Sequence, residues 1–213
     1  MDRVCLFIDG SGFYFSLKRN NHPTRVDYYE LSKALTGPDR KLIRTFYFNS
    51  AYDSSKDTYK WKQQQSFLDS LDRTPYLDVK FGRLVGQAQG GFREKGTDVL
   101  LASLLVYYAA KDYYDTAIVI TEDPDFVDGI SKVKEMGKHV EIGLFPDIQP
   151  RELLRSSDMI IPLNDVLTRF KDKIFPDIPE VLEEPGDNAF NKEGAHLLKP
   201  VLTTGKVANG RKK

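Results

Sequence analysis

Six short stretches of the chain are apolar and rich in β-branched or aromatic residues: positions 4–8, 42–48, 77–84, 117–121, 140–144 and 159–161. Each has the length and composition of a β-strand. Between them, positions 28–35, 57–71, 98–110, 126–136 and 151–156 carry segments of helix length. Strands spaced by crossover helices predict an α/β fold with a mainly parallel sheet. Gly137 follows Met136 where one helix should stop, and Lys132, Lys134 and Lys138 suit its negative end. Positions 82–96 hold five glycines with Gln87, Gln89 and Arg93, and read as a mobile loop leading into the helix that starts at Asp98.

Two of the strand runs do not alternate. Val4-Cys5-Leu6-Phe7-Ile8 is apolar throughout and stops at Asp9, while Ala117-Ile118-Val119-Ile120 stops at Thr121-Glu122-Asp123-Pro124-Asp125. Unbroken apolar runs mark strands buried on both faces, in sheets whose functional crevice lies outside the carboxyl ends. With Asp98 opening the most apolar helix, four aspartates stand at three places that such a fold can bring together. Converging carboxylates cannot all stay ionised without a counter-charge, and the simplest is a hard divalent cation, Mg²⁺ or Mn²⁺. Each aspartate also has a plainer reading. Asp9 suits the cap of a helix beginning near Gly12, Asp123 that of a helix opened by Pro124, and Thr97 or Asp98 that of the apolar helix. Capping accounts for one acid of the cluster at 122–125, not for three.

Lysine plus arginine equals aspartate plus glutamate at 31 each among 213 residues, so no global field points to nucleic acid. A neutral total still permits a basic rim around an acidic centre. Lys18 and Arg19 beside the first acid, with Arg93 and Lys95 ahead of Asp98, are the candidates for that rim. Ser11 and Thr121 are candidate hydroxyl contacts, and Phe13 and Tyr14 candidate surfaces for stacking single-stranded bases. Cys5, the single cysteine, lies inside the first apolar run and reads as core, which excludes an intramolecular disulfide and a thiol zinc site. His22, His139 and His196 are scattered. Gly10-Ser11-Gly12 lacks the further glycine of a dinucleotide fingerprint, Phe15 standing there instead.

No charged leader precedes a long apolar stretch and no run is long enough to span a membrane, so a soluble cytoplasmic protein is expected. Composition shifts near Lys171: positions 171–187 carry six acids, two lysines and three prolines, and the chain ends in four positive charges after Gly205. The expected organisation is one α/β domain over 1–170 and an extension over 171–213, an extended arm followed by a flexible basic tail. An edge strand or that arm offers a surface for a homodimer.

Four motifs, read together, resemble a known family. They are Ile8-Asp9-Gly10-Ser11, Lys95-Gly96-Thr97-Asp98, Asp123-Pro124-Asp125-Phe126 and Val133-x-x-Met136-Gly137-Lys138-x-Val140-x-Ile142. Over roughly residues 3–170 the chain resembles the NYN domain of the PIN-like nuclease superfamily, in its LabA-like branch. The resemblance implies a three-layer α/β/α sandwich with a mainly parallel central sheet. It further implies a metal-dependent ribonuclease in which Asp9, Asp98, Asp123 and Asp125 hold Mg²⁺ or Mn²⁺ and act on RNA, single-stranded or structured. Two positions depart from the family pattern: Gly12 stands where asparagine is usual, and Glu122 replaces a glycine and adds a charge beside the acidic site. These departures motivate a second expectation, a non-catalytic RNA-binding or regulatory domain. A phosphoaspartyl-type phosphohydrolase of small molecules would need a second acid two residues after Asp9, where Ser11 stands.

Overall fold

The computed structural model describes residues 1–49, 58–86, 92–148 and 150–176, with the backbone alone described at 58–61, 63, 83–86 and 92–95. Six parallel strands form the central sheet: β1 (Asp2–Asp9), β2 (Arg40–Asn49), β3 (Leu77–Phe81), β6 (Thr116–Ile120), β7 (His139–Leu144) and β8 (Met159–Pro162). Their order in space is β3-β2-β1-β6-β7-β8. β4 (Arg83–Gly86) and β5 (Phe92–Lys95) pair as a separate antiparallel hairpin.

Successive side chains of a strand point to opposite faces, and each face of this sheet has its own core. Leu6, Ile8, Ile118 and Ile120 look towards α1 (Gly10–Arg19), α2 (Tyr28–Thr36), α3 (Thr58–Asp72), α7 (Leu163–Arg169) and α8 (Lys171–Ile174). Phe7, Val119 and Ile142 look towards α4 (Thr97–Ala110), α5 (Val127–Glu135) and α6 (Arg151–Ser156). The result is a three-layer α/β/α sandwich. Phe7 anchors the second core, its ring 5.2 Å from that of Phe46 and 5.8 Å from that of Tyr114. Such pairs add about 1 kcal/mol each to the burial of the rings themselves. Cys5 lies fully buried in this same layer.

The winding reverses between β1 and β6. From β1 the sheet grows through β2 to β3 on one side, and from β6 through β7 to β8 on the other. Ile8 is in register with Ile120, so Asp9 and Thr121 leave the sheet side by side. A crevice opens beyond the carboxyl ends of two strands whose connections depart in opposite directions.

Four local features differ from what the sequence predicts. The run expected as one strand over 77–84 breaks at Gly82 into β3 and β4. The glycine-rich stretch expected as a loop contains the β4–β5 hairpin, in which Arg83 pairs with Lys95; its residues 87–91 lie outside the described residues. No helix is evident from the pattern after β8, yet α7 follows directly and buries Leu163 and Leu167. In the segment expected as an arm, α8 forms a helical turn whose Ile174 is fully buried and whose carbonyl accepts a hydrogen bond from Asp27 N at 2.8 Å. The remainder of that arm and the basic tail, residues 177–213, lie outside the described residues. Among the described residues no helix is long and apolar enough to cross a membrane.

Candidate functional site at the carboxyl edge of the sheet

Asp9 ends β1 and caps α1, its Oδ1 accepting from Gly12 N at 3.0 Å. Asp123 caps the short 3-10 turn Pro124–Phe126, its Oδ1 accepting from Asp125 N at 2.9 Å. Pro124 fits there because the first residue of a turn needs no amide hydrogen. Asp98 is exposed in the first turn of α4, whose cap is neither Thr97 nor Asp98 but Gly96, at φ 87°. Only glycine adopts that left-handed conformation at little cost. Asp125 is exposed one position beyond Pro124.

The electrostatics tie these groups together. Burial pushes the Asp9 carboxyl up to about 6, against the pull of the Gly12 amide, and the charges of Asp98, Asp123 and Glu122 push it further the same way. Asp123 is raised too, first by burial and then by the charge of Asp125. Carboxylates raised by burial and by neighbouring negative charge are short of positive charge. Hard oxygen donors in that condition match the chemistry of Mg²⁺ or Mn²⁺. Even so, among the described residues no three histidine, cysteine, aspartate or glutamate side chains stand close enough together to hold a metal ion.

Glu122 is not loose beside this cluster. Its Oε1 meets Arg19 at 2.6 Å, and Arg19 also pairs with Asp147 in the turn after β7. Asn20 donates to the other Asp147 oxygen at 3.0 Å. Burial raises the Glu122 carboxyl, and Ser16 and Arg19 draw it back down. Arg19, expected as part of a rim facing nucleic acid, therefore spends its guanidinium on two carboxylates of its own chain. Asp147 and Asn20 escaped the sequence reading, where the one signal was an acid three positions beyond the end of a strand.

The remaining candidates fall into separate groups. Phe13 and Tyr14 are 1% and 3% exposed. Phe13 packs between Tyr28 and Phe145, so these rings serve the core and present no open face to a base. Thr121 is buried, its hydroxyl accepting from Asp123 N at 3.1 Å, and so shapes the turn that carries Asp123. Ser11 is half-buried in the first turn of α1. Lys18 is exposed, with its ammonium 5.1 Å above the Tyr14 ring. Arg93 and Lys95 lie on β5, and their side chains are outside the described residues. His22 holds Asn164 at 2.9 Å and stacks on Phe175, a structural role.

The NYN domain profile matches residues 3–164. This chain belongs to the NYN domain family. It is 22% identical over 171 residues to the low amplitude and bright protein LabA of Synechococcus elongatus, an alignment covering 77% of this chain and 85% of that one. It also superposes on the crystal structure of a Vibrio parahaemolyticus protein of unknown function with a TM-score of 0.58, at 14% identity, over 78% of this chain and 94% of that one. The second likeness shows the fold alone. Membership of the NYN family places the chain in a PIN-like, nuclease-related class, with an RNA-related nuclease or regulatory role as its coarse function.

Proposed function

We propose that this protein is a ribonuclease that hydrolyses RNA phosphodiester bonds at the carboxyl edge of its sheet, with Asp9, Asp98, Asp123 and Asp125 as its acidic set. The observation that carries this reading is the position of Asp9 at the switch between β1 and β6, where burial first and then the charges of Asp98 and Asp123 raise its carboxyl. Mg²⁺ or Mn²⁺ bound there would polarise the scissile phosphate and lower the pKa of an attacking water. Asp9, Asp98 and Asp123 would hold that cation, while Asp125, exposed at the rim, would orient the water. The Thr121 hydroxyl, which accepts from Asp123 N, holds the turn that carries Asp123. Ser11, Lys18, Arg93 and Lys95 would meet the RNA backbone.

A second reading has a specific observation in its favour. Among the described residues no three acids stand within metal-holding distance of one another, and Glu122, present where the family usually has glycine, is latched to Arg19. A chain that binds RNA without cutting it would tolerate both. Labelled single-stranded and hairpin RNA incubated with Mn²⁺, Mg²⁺ or EDTA separates the two. Metal-dependent products from the wild type, abolished in Asp123→Asn with the fold intact by circular dichroism, support the nuclease. RNA binding without products in any metal supports the regulatory domain.

A further inference from the structure

We propose that a cleft at the amino ends of the strands, remote from the acids, binds a mononucleotide. The cleft has a volume of ≈ 630 Å³ and lies between α2, α7, α8 and the start of β2. Arg40 and Leu42, the first residues of β2 to line it, pair with the start of β1, whereas Asp9 ends that strand. The cleft and the acidic edge share no residue.

Helical spacing builds the walls. Glu30, Lys33 and Ala34 stand at i, i+3 and i+4 on one face of α2. Asp165, Val166 and Arg169 share a face of α7, and Lys173 of α8 continues it. Ala34, Leu42, Val166 and Phe170 are half-buried: each packs on the core with one side and lines the cleft with another. A largely apolar wall with a few polar groups, at this volume, is the usual form of a small-molecule site.

Some of its charges are committed and some are not. Lys33 meets Glu30 at 2.9 Å, and Arg40 gives its guanidinium to Glu141 and to the carbonyls of Leu35 and Thr36. Arg169 and Lys173 are exposed and have no acid partner among the described residues, and Asp165 has no cation. Thr36 also lines the cleft; it is 3% exposed, and its Oγ1 has no hydrogen-bond partner among the described residues. Buried hydroxyls are rarely left so, and a polar group bound in the cleft would complete it.

These groups select a ligand by its chemistry. The Arg169 guanidinium and the Lys173 ammonium suit a phosphate, the first as a planar fork and the second as a point charge. The Asp165 carboxylate only accepts hydrogen bonds, so it suits a ribose hydroxyl or an exocyclic amine. The apolar wall suits the flat face of a base. A fatty acid has no donor for Asp165, and inorganic phosphate makes no use of the wall. A nucleoside phosphate uses all three.

The test is calorimetric titration of the full chain, in EDTA, with the 5′-monophosphates of adenosine, guanosine, cytidine and uridine. Adenosine and inorganic phosphate serve as partial ligands. At least one mononucleotide should bind about tenfold or more tighter than either part, and Arg169→Ala combined with Lys173→Ala should weaken it by about tenfold or more. Both positions are exposed, so an unchanged melting temperature should accompany that loss. Ala34→Trp, which fills the cleft from α2, should abolish binding. Phosphate binding as tightly as every nucleotide would reduce the cleft to an anion patch and overturns the inference. No binding by any of the four at millimolar concentration overturns it as well. So does binding that survives the double variant but is lost in Asp123→Asn, which would put the nucleotide at the acidic edge.

Discussion

Arg19 and Glu122 meet at 2.6 Å, joining the last turn of α1 to the turn that follows β6. Arg19 carries Asp147 as well, so one guanidinium gathers three elements at the edge where Asp9 and Asp123 emerge. Glu122 is thereby paired with an internal cation. α1 is held at both ends, by the Asp9 cap at its start and by this clamp at its finish.

Removing Arg19 should cost more than removing Glu122, because Arg19→Ala strands two carboxylates whereas Glu122→Gln strands none. Both partners are partly solvent-exposed, so the coupling between them should be modest, about 0.5–1 kcal/mol. A double-mutant cycle of Arg19→Ala and Glu122→Gln by urea unfolding measures it. Additive effects would show that the contact contributes nothing to stability.

Stability should depend on the ionisation of Asp9. Its folded value of about 6 lies above its ordinary 3.8, so between those values the folded chain holds a proton that the unfolded chain has released. The contribution of this group is then greatest at acid pH and declines as pH rises towards about 6. The full loss is at most about 3 kcal/mol for a shift of roughly two units. Urea unfolding of wild type and Asp9→Asn at several pH values between about 4 and 7 checks the sign, since asparagine keeps the cap without the charge. A wild-type slope no steeper than that of the variant contradicts the prediction. Mn²⁺ affinity should run the other way, weakening as pH falls through about 6.

On the opposite edge of the sheet, Arg40 at the start of β2 reaches Glu141 of β7 at 2.7 Å, and Glu141 is 2% exposed. The other Glu141 oxygen, Oε2, has no hydrogen-bond partner among the described residues. Arg40→Met should therefore destabilise the fold by about 3 kcal/mol, because it leaves the buried Glu141 charge with only the half-exposed His139 ring at 3.5 Å and removes the hydrogen bonds from Arg40 to the Leu35 and Thr36 carbonyls. Adding Glu141→Gln should restore a good part of that loss, as read by thermal and urea unfolding. A double variant as unstable as Arg40→Met alone would point instead to the arginine's hydrogen bonds to the Leu35 and Thr36 carbonyls and to packing of its stem.

At Gly10, α1 packs tightly against β2. A Cβ there would lie 2.4 Å from Tyr47 Cζ and 2.7 Å from the Phe48 carbonyl oxygen. Tyr47 is locked against Tyr28 and Phe67, and the carbonyl belongs to a strand, so neither yields easily. Gly10→Ala should cost about 1–3 kcal/mol by overpacking. A wild-type melting temperature in that variant would show that the first turn of α1 can shift without penalty.

Much of this architecture is legible in the chain itself, because burial on both faces leaves a signature that needs no partner to read. The unbroken apolar runs at 4–8 and 117–121 are the two central strands. Their abrupt ends at Asp9 and at Thr121-Glu122-Asp123 carry the acids to one edge of the sheet for the same reason. Local chemistry also settles the capping roles of Asp9 and Asp123, which depend only on residues two or three positions away. Tertiary structure decided everything that rests on long-range approach. Sequence separation says nothing of whether Arg19, 103 positions from Glu122, faces an RNA or a carboxylate of its own chain. Nor does it say whether Phe13 stacks on a base or sinks between Tyr28 and Phe145. A charge or a ring announces only that it will find a partner; which partner is set by how the elements pack.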